Sequence, residues 1–323
     1  MSPRRNPHWD GSRSPQLAYS TALGKSYQAT IEEFLASKYA EGLEGTVQLI
    51  LTSPPFPLAS PKSYGNSVGQ EYLDWITSLA QPLRALLKPT GSLVLEIGNT
   101  WNKGSPTMST LPLETLISFG RSADLNVCQQ FICNNPNRLP SPINYVNDQR
   151  IRVKDSYTHV WWYGKKDRPY ADNRAVLKEY SPAMKRLLER QSYNSGSRPS
   201  EHNIGETSFL SDNGGAIPSN FLDIPENHTF LNWLEFAGSA VDREYSKWCK
   251  EQTIKQHPAK MQAGMVEFFI RFLTKKNDLI LDPFGGSNTT GSIAEKLARR
   301  WIVTEPNSTY IEGSLGRFIQ AKS

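Results

Sequence analysis

Cysteine is scarce in this 323-residue chain. Cys128, Cys133 and Cys249 are an odd number with no C-x-x-C spacing. A disulfide framework has no support, and reduced thiols in a cytoplasmic protein are the expectation. The five histidines form neither H-x-x-x-H nor H-E-x-x-H, so no metal site is expected. Long apolar runs are also missing: no window approaches the roughly 18 residues that a bilayer-spanning helix needs. Residues 1–18 carry Arg4, Arg5 and Arg13 among Pro, Ser and Gly without an apolar stretch. They read as a disordered basic arm, not a signal peptide. Finally, there is no G-x-G-x-x-G and no lysine following a glycine turn, which disfavours a nucleotide-phosphate site.

What is present is uneven. Hydrophobic residues make up 38% of the chain, enough for a sizeable core. Net charge is +5, yet residues 150–200 hold 12 Lys and Arg against 5 Asp and Glu, leaving the remainder slightly acidic. A polyanion would meet this middle segment first, although a merely solvated surface has the same composition.

Three apolar runs read as buried parallel strands that end in turns: Val47 to Leu51, Leu93 to Ile97 and Leu279 to Leu281. Val160 to Tyr163 and Trp301 to Thr304 are weaker candidates. Glu71 to Leu87 predicts a helix with a kink at Pro82. Met265 to Phe272 and Ile293 to Ala298 predict two more helices. Strands alternating with helices argue for an open α/β sheet. Residues 165–256 break the rhythm. They are too long for a loop and too aromatic for a linker, which favours a second, irregular folded unit. The expected division is therefore an arm (1–18), two halves of one α/β domain (19–164 and 257–323) and an inserted smaller domain (165–256).

Two loops carry chemistry. Asp282-Pro283-Phe284-Gly285-Gly286-Ser287-Asn288-Thr289 follows a strand and opens a helix. The glycines let the backbone approach a ligand, and the helix start offers free N–H groups. Glu305, 20 residues past Gly285, ends the next strand, where an acid commonly takes ribose hydroxyls. Without phosphate-binding features, a cofactor with a ribose and a carboxylate suits this turn; close packing alone is the plainer reading.

The other loop is Ser53-Pro54-Pro55-Phe56. Two prolines stiffen the strand exit and remove two N–H donors, so the Ser53 hydroxyl and the neighbouring carbonyls are fixed acceptors. An aromatic amine needs such acceptors, because its lone pair is delocalised into the ring. Drawing its hydrogens out of plane frees that pair for in-line attack on an electrophilic methyl. Phe56 can stack on a base. A proline-rich turn with Phe56 in the core is the alternative.

Together these motifs resemble the S-adenosylmethionine-dependent DNA amino-methyltransferases. Within them they are closest to the cytosine-N4 enzymes of bacterial restriction–modification systems, of the PvuII type. Ser-Pro-Pro-Phe stands where adenine-N6 members carry Asp-Pro-Pro-Tyr, and the order of catalytic loop, recognition region and cofactor motif is that of the β arrangement. The resemblance extends through Leu139-Pro140-Ser141-Pro142-Ile143, Ile151 to Asp155, Val160-Trp161-Trp162 and Asp212-Asn213-Gly214-Gly215. It implies a Rossmann-like, mostly parallel, circularly permuted methyltransferase sheet with an inserted DNA-recognition domain. It also implies cytosine-N4 transfer in double-stranded DNA with the target base flipped, a partner endonuclease sharing the site without stable complex, and a monomer.

By the same resemblance Ser53, Pro54, Pro55 and Phe56 would hold the target. Asp282 to Thr289 would line the methionine side of the cofactor, Glu305 its ribose, and His257 its amino acid end. Glu96 would be an acid near the site. Where relatives read Gly-Asp-Ser this chain has Gly24-Lys25-Ser26, which leaves Ser26 or a backbone group for the cofactor's adenine. Base reading would fall to side chains such as Arg198, His202, Asn203 and Asn213. Two other functions fit the same motifs: adenine-N6 transfer with a serine variant of the loop, and a DNA-binding module without catalysis.

Overall fold

The structure, a computed structural model, describes residues 14–57, 68–136, 138–223 and 238–319, with the side chains of 238–241 excepted. Its strands are β1 (Gln16–Ser20), β2 (Gly24–Gln28), β3 (Val47–Thr52), β4 (Leu87–Gly98), β5 (Asn126–Asn134), β6 (Tyr157–Gly164), β7 (Gly196–Ser197), β8 (Asn203–Ile204), β9 (Phe221–Asp223), β10 (Leu279–Asp282) and β11 (Arg300–Glu305). Its helices are α1 (Ile31–Leu35), α2 (Lys38–Glu41), α3 (Gly69–Ser78), α4 (Ala80–Leu86), α5 (Leu111–Ser122), α6 (Pro182–Arg190), α7 (Gly238–Glu251), α8 (Ala263–Leu273), α9 (Thr289–Lys296) and α10 (Ser308–Ser314).

Nine strands form one sheet in the order β1-β2-β11-β10-β3-β4-β6-β5-β9. Pairing is parallel from β2 to β4 and again between β5 and β9, and antiparallel elsewhere. β3 and β10 are buried along their whole length because helices cover both faces. On one face Ile50, Leu93 and Leu281 pack with α3, α4 and α5; on the other Leu49, Leu51 and Ile280 pack with α8 and α9. β3 crosses to β4 on one side and β10 to β11 on the other, so the strand order reverses between β3 and β10. Open α/β sheets bind ligands in the crevice outside the strand ends at that point.

Several expectations need correction. Residues 16–18 of the expected arm lie in β1, and residues 1–13 lie outside the described residues. The helix expected from Glu71 to Leu87 is two helices. α3 ends at Ser78, the carbonyl that Pro82, lacking an N–H, cannot bond. Leu87 then begins β4.

Parts of the expected insert, 165–256, contact the rest of the chain. Its β9 pairs with β5 in the main sheet, and α7 packs on the C-terminal turn: Tyr245 Oη accepts from His257 N (2.8 Å) and Trp248 Nε1 donates to the Glu312 carbonyl (3.3 Å). Thus α7 packs against the cofactor half. The irregular part is the stretch around α6 and the β7–β8 hairpin. Among the described residues, no helix is long and apolar enough to cross a membrane, and no group of three His, Cys, Asp or Glu could hold a metal ion.

Candidate active site

A cleft of about 860 Å³ opens outside the carboxyl ends of β3, β4, β10 and β11. That is near the upper end of the roughly 300–1,000 Å³ usual for small-molecule sites. Ser53, Pro54, Pro55, Phe56 and Glu96 line one side, and His257, Pro283, Phe284, Gly285, Gly286, Ser287, Thr289 and Glu305 the other. The two sequence motifs, some 230 residues apart, therefore face one another because β3 and β10 are neighbours.

On the first side, Ser53 follows β3 and Glu96 lies near the end of β4. The Ser53 hydroxyl bonds the Glu96 carboxylate, which also accepts from Thr158 Oγ1 at 2.8 Å. Burial pushes the Glu96 carboxyl above its ordinary value, and these two hydroxyls, with the positive charge of Arg138, pull it back. Glu96, expected as an acid near the site, sits against Ser53. With its proton committed to Glu96, Ser53 Oγ turns lone pairs to the cleft. The Phe56 ring rests on Gly98: a Cβ there would come within 2.5 Å of Phe56 Cε2. Glycine thus leaves room for the ring at the end of β4, with Phe56 still lining the cleft.

On the second side, Glu305 Oε2 accepts from Gly286 N (3.0 Å) and Oε1 from Asn307 N (2.9 Å). Burial nonetheless pushes its pKa up to about 7. Gly286 has φ +52°, and a Cβ on it would stand 3.1 Å from the His257 ring. The turn therefore needs glycine both for its backbone and for that imidazole. His257 stacks edge-on against Tyr310 at 4.5 Å, and burial lowers its pKa to about 4, so it presents a neutral ring.

Three expected cofactor residues do not line the cleft. Asp282 is fully buried and accepts from Thr52 Oγ1 (2.8 Å), Thr290 Oγ1 (2.7 Å) and Phe284 N (3.1 Å); burial raises its pKa to about 6. It is a strut between the two loops. Asn288 caps α9 by accepting from Gly291 N, and donates to Tyr19 Oη. Ser26 is buried in mid-strand beside Val303, bonded to Tyr19. Two residues past that strand comes Thr30, where a capping box with Glu33 (2.8 and 3.2 Å) starts α1 and sets Thr30, Ile31 and Glu32 in the cleft wall. The sequence Thr-x-x-Glu is a readable signal for that cap.

Other contributors had no motif to announce them. Buried Arg317 donates from Nε to the Ser287 carbonyl (2.6 Å) and from Nη2 to Ser287 Oγ (3.0 Å), lies over the Tyr245 ring and pairs with Asp242 (2.9 Å). Asp242 also pairs with Lys260, a cleft residue, at 3.2 Å. Asn135, Arg138, Leu139 and Tyr157 form the cleft's outer rim between β5 and β6. The proposed base readers divide: Arg198, His202 and Asn203 share the β7–β8 hairpin turn, while Asn213 sits on a separate loop against Tyr180.

A glycine turn and a ribose-type acid on one side of a switch-point cleft, with a serine–proline acceptor loop on the other, define a methyltransferase that acts on amines. The family model described as DNA methylase matches residues 47–315, and the chain belongs to that family. It is similar to the type II methyltransferase M.PvuII of Proteus hauseri, with 41% identity over 304 residues covering 94% of this chain and 85% of the relative. It is also similar to M.BglII of Bacillus subtilis, with 23% identity over 83% of this chain and 62% of that protein. The solved structure of PvuII DNA methyltransferase (cytosine-N4-specific) superposes with a TM-score of 0.69 at 33% identity, covering 95% of this chain and 90% of that one.

Proposed function

We propose that this chain transfers a methyl group from S-adenosylmethionine to the N4 amine of a cytosine flipped out of duplex DNA at a short recognition sequence. The observation that carries this reading is the bonded pair Ser53–Glu96 facing the Gly286–Glu305 cradle across one cleft. A serine at the head of the loop, where adenine-specific relatives carry aspartate, favours cytosine.

The cradle fits the cofactor. Gly285 and Gly286 let the turn pack closely on Val303 and the His257 ring, so its backbone lines the cleft, and Glu305 offers an acceptor to ribose hydroxyls beside that neutral imidazole. When bound, the cofactor supplies an electrophilic methyl on a sulfonium. The chain's own groups do the rest. Ser53 Oγ and the Pro54 carbonyl take the two amine hydrogens, drawing them from the ring plane so that the nitrogen lone pair points across the cleft. Phe56 holds the flipped base by its face, worth ~1–3 kcal/mol. As positive charge grows on nitrogen, the acceptors stabilise it, and the buried Glu96 carboxylate adds to this through Ser53. One amine proton passes to Ser53 Oγ while the serine proton passes to Glu96, whose raised pKa suits it to receive one. Both water and bulk ions are kept from this proton path by the burial of Glu96.

The basic segment 150–200 would supply phosphate contacts, making binding strongly salt-dependent. One recognition region in one chain suits a monomer that methylates the strands of a site in turn. A partner endonuclease would read the same site on its own. Such an enzyme works in the cytoplasm, where the chromosome is. Expression in a host free of amino-methylation, followed by nucleoside analysis and sequencing of the modified DNA, tests the reading. N4-methylcytosine in one sequence context is expected; N6-methyladenine alone would refute it.

A further inference from the structure

The segment between β5 and β6 exposes apolar side chains to a degree the rest of the surface rarely does: Leu139 is 80% exposed, Val153 84%, Ile143 63% and Ile151 59%. A solvated loop gains nothing from four such residues within 15 positions. Nor is the segment loosely attached. Asn135 N donates to the Ser156 carbonyl (2.6 Å), Lys154 Nζ to the Pro136 carbonyl (2.8 Å) and Arg152 Nη1 to the Pro106 carbonyl (2.6 Å). These bonds tie the segment to the end of the β5–β6 hairpin and to the loop at Pro106, beside the cleft that Arg138, Leu139 and Ser141 line. Leu139 is the member of the apolar set that lines the cleft itself. It precedes Pro140, which confines its backbone to extended conformations, so little freedom remains to be lost on binding. The same segment carries Arg138, Arg150 and Lys154, with Arg152 paired to Asp155 at 2.9 Å.

An exposed apolar set interspersed with cations and continuous with the cleft has the chemistry of a wedge for duplex DNA. Extruding a base breaks its stacking on both sides and leaves a gap one base thick, at a cost of a few kcal/mol. Water fills such a gap poorly; an apolar side chain of leucine size fills it well. We propose that Leu139 enters the helix where the target cytosine leaves it, with Ile143, Ile151 and Val153 seated against the groove beside it. The proposal rests on the DNA reading above and adds the part of the chain that keeps the base out.

Leu139→Ala tests it on two duplexes carrying the site found by sequencing: one with the target cytosine paired to guanine, the other with an abasic position opposite it. The second needs no unpairing. On the paired duplex kcat/KM should fall at least about tenfold. On the abasic duplex it should stay within about threefold of the unaltered chain, because the unpairing part of the cost is already gone and the empty space opposite lets the base leave without a wedge. Leu139→Phe should restore the paired rate, and cofactor affinity should be the same in all three chains. Equal losses on both duplexes, or no loss on the paired one, would overturn the wedge. An unaltered chain that methylates neither duplex overturns the DNA reading instead, and the wedge with it.

Discussion

Removing the Ser53 hydroxyl separates its two jobs. In Ser53→Ala the target amine loses one of two acceptors, while the Pro54 carbonyl and the Phe56 ring stay. Preorganised groups of this kind are each worth about 2.7–4 kcal/mol in the transition state, so kcat should drop roughly 10²–10³-fold. Ground-state binding should barely change, because stacking and phosphate contacts hold the DNA. The same substitution takes from Glu96 one of its two hydroxyl donors, leaving Thr158. That loss should cost about 1 kcal/mol of folding stability. Single-turnover transfer of a labelled methyl group, with calorimetric cofactor binding and a denaturant titration of the same samples, separates these quantities. A fall in kcat below about threefold, or a rate loss matched by lost cofactor affinity, would refute the role given to Ser53.

Three further outcomes are expected. Asp282 ionises with a pKa near 6 in the fold against 3.8 when free, so its folded form holds the proton more tightly and the parent loses stability as pH rises through that window. Asp282→Asn abolishes this titration, so relative to the parent it should gain about 2 kcal/mol between pH 4.5 and 7.5 in urea denaturation; a constant difference would refute it. Glu305, near 7, must be ionised to accept ribose hydroxyls, so cofactor affinity should rise about tenfold from pH 6 to 8 and become flat in Glu305→Gln by calorimetry. Gly98→Ala drives a methyl into the Phe56 ring; kcat/KM for DNA should fall about tenfold while cofactor affinity holds, as stacking is worth ~1–3 kcal/mol.

The strands at the heart of the sheet were legible because burial on both faces makes them plainly apolar. Val47 to Leu51 and Leu279 to Leu281 differ from the observed β3 and β10 by one residue each. β5 was not: Asn126, Gln129 and Gln130 lie on it with much of its length exposed, so no periodicity marks it. β1, β2 and β9 are short or half-exposed in the same way. In the site, the glycine turn, Glu305 and the serine–proline loop were read from local chemistry, and the cleft unites them. That Asp282 and Asn288 turn inward to hold the loop was not legible, because a motif shows which residues accompany a ligand and not which way each of them faces. Arg317 could not be read at all, since its partners Ser287 and Asp242 lie 30 and 75 residues away.

Asp282 has a further consequence. Its two oxygens tie Thr52, the residue before Ser53, to Thr290 and the Phe284 amide. The platform for the methyl donor and the platform for the amine are thus clamped to one carboxylate, which acts as a jig for the gap between them. The line along which the methyl must travel is set by the sheet and this clamp, below the level of either loop's surface. The loop from Ser53 to Phe56 can then be recut for a different amine without moving the place from which the methyl departs.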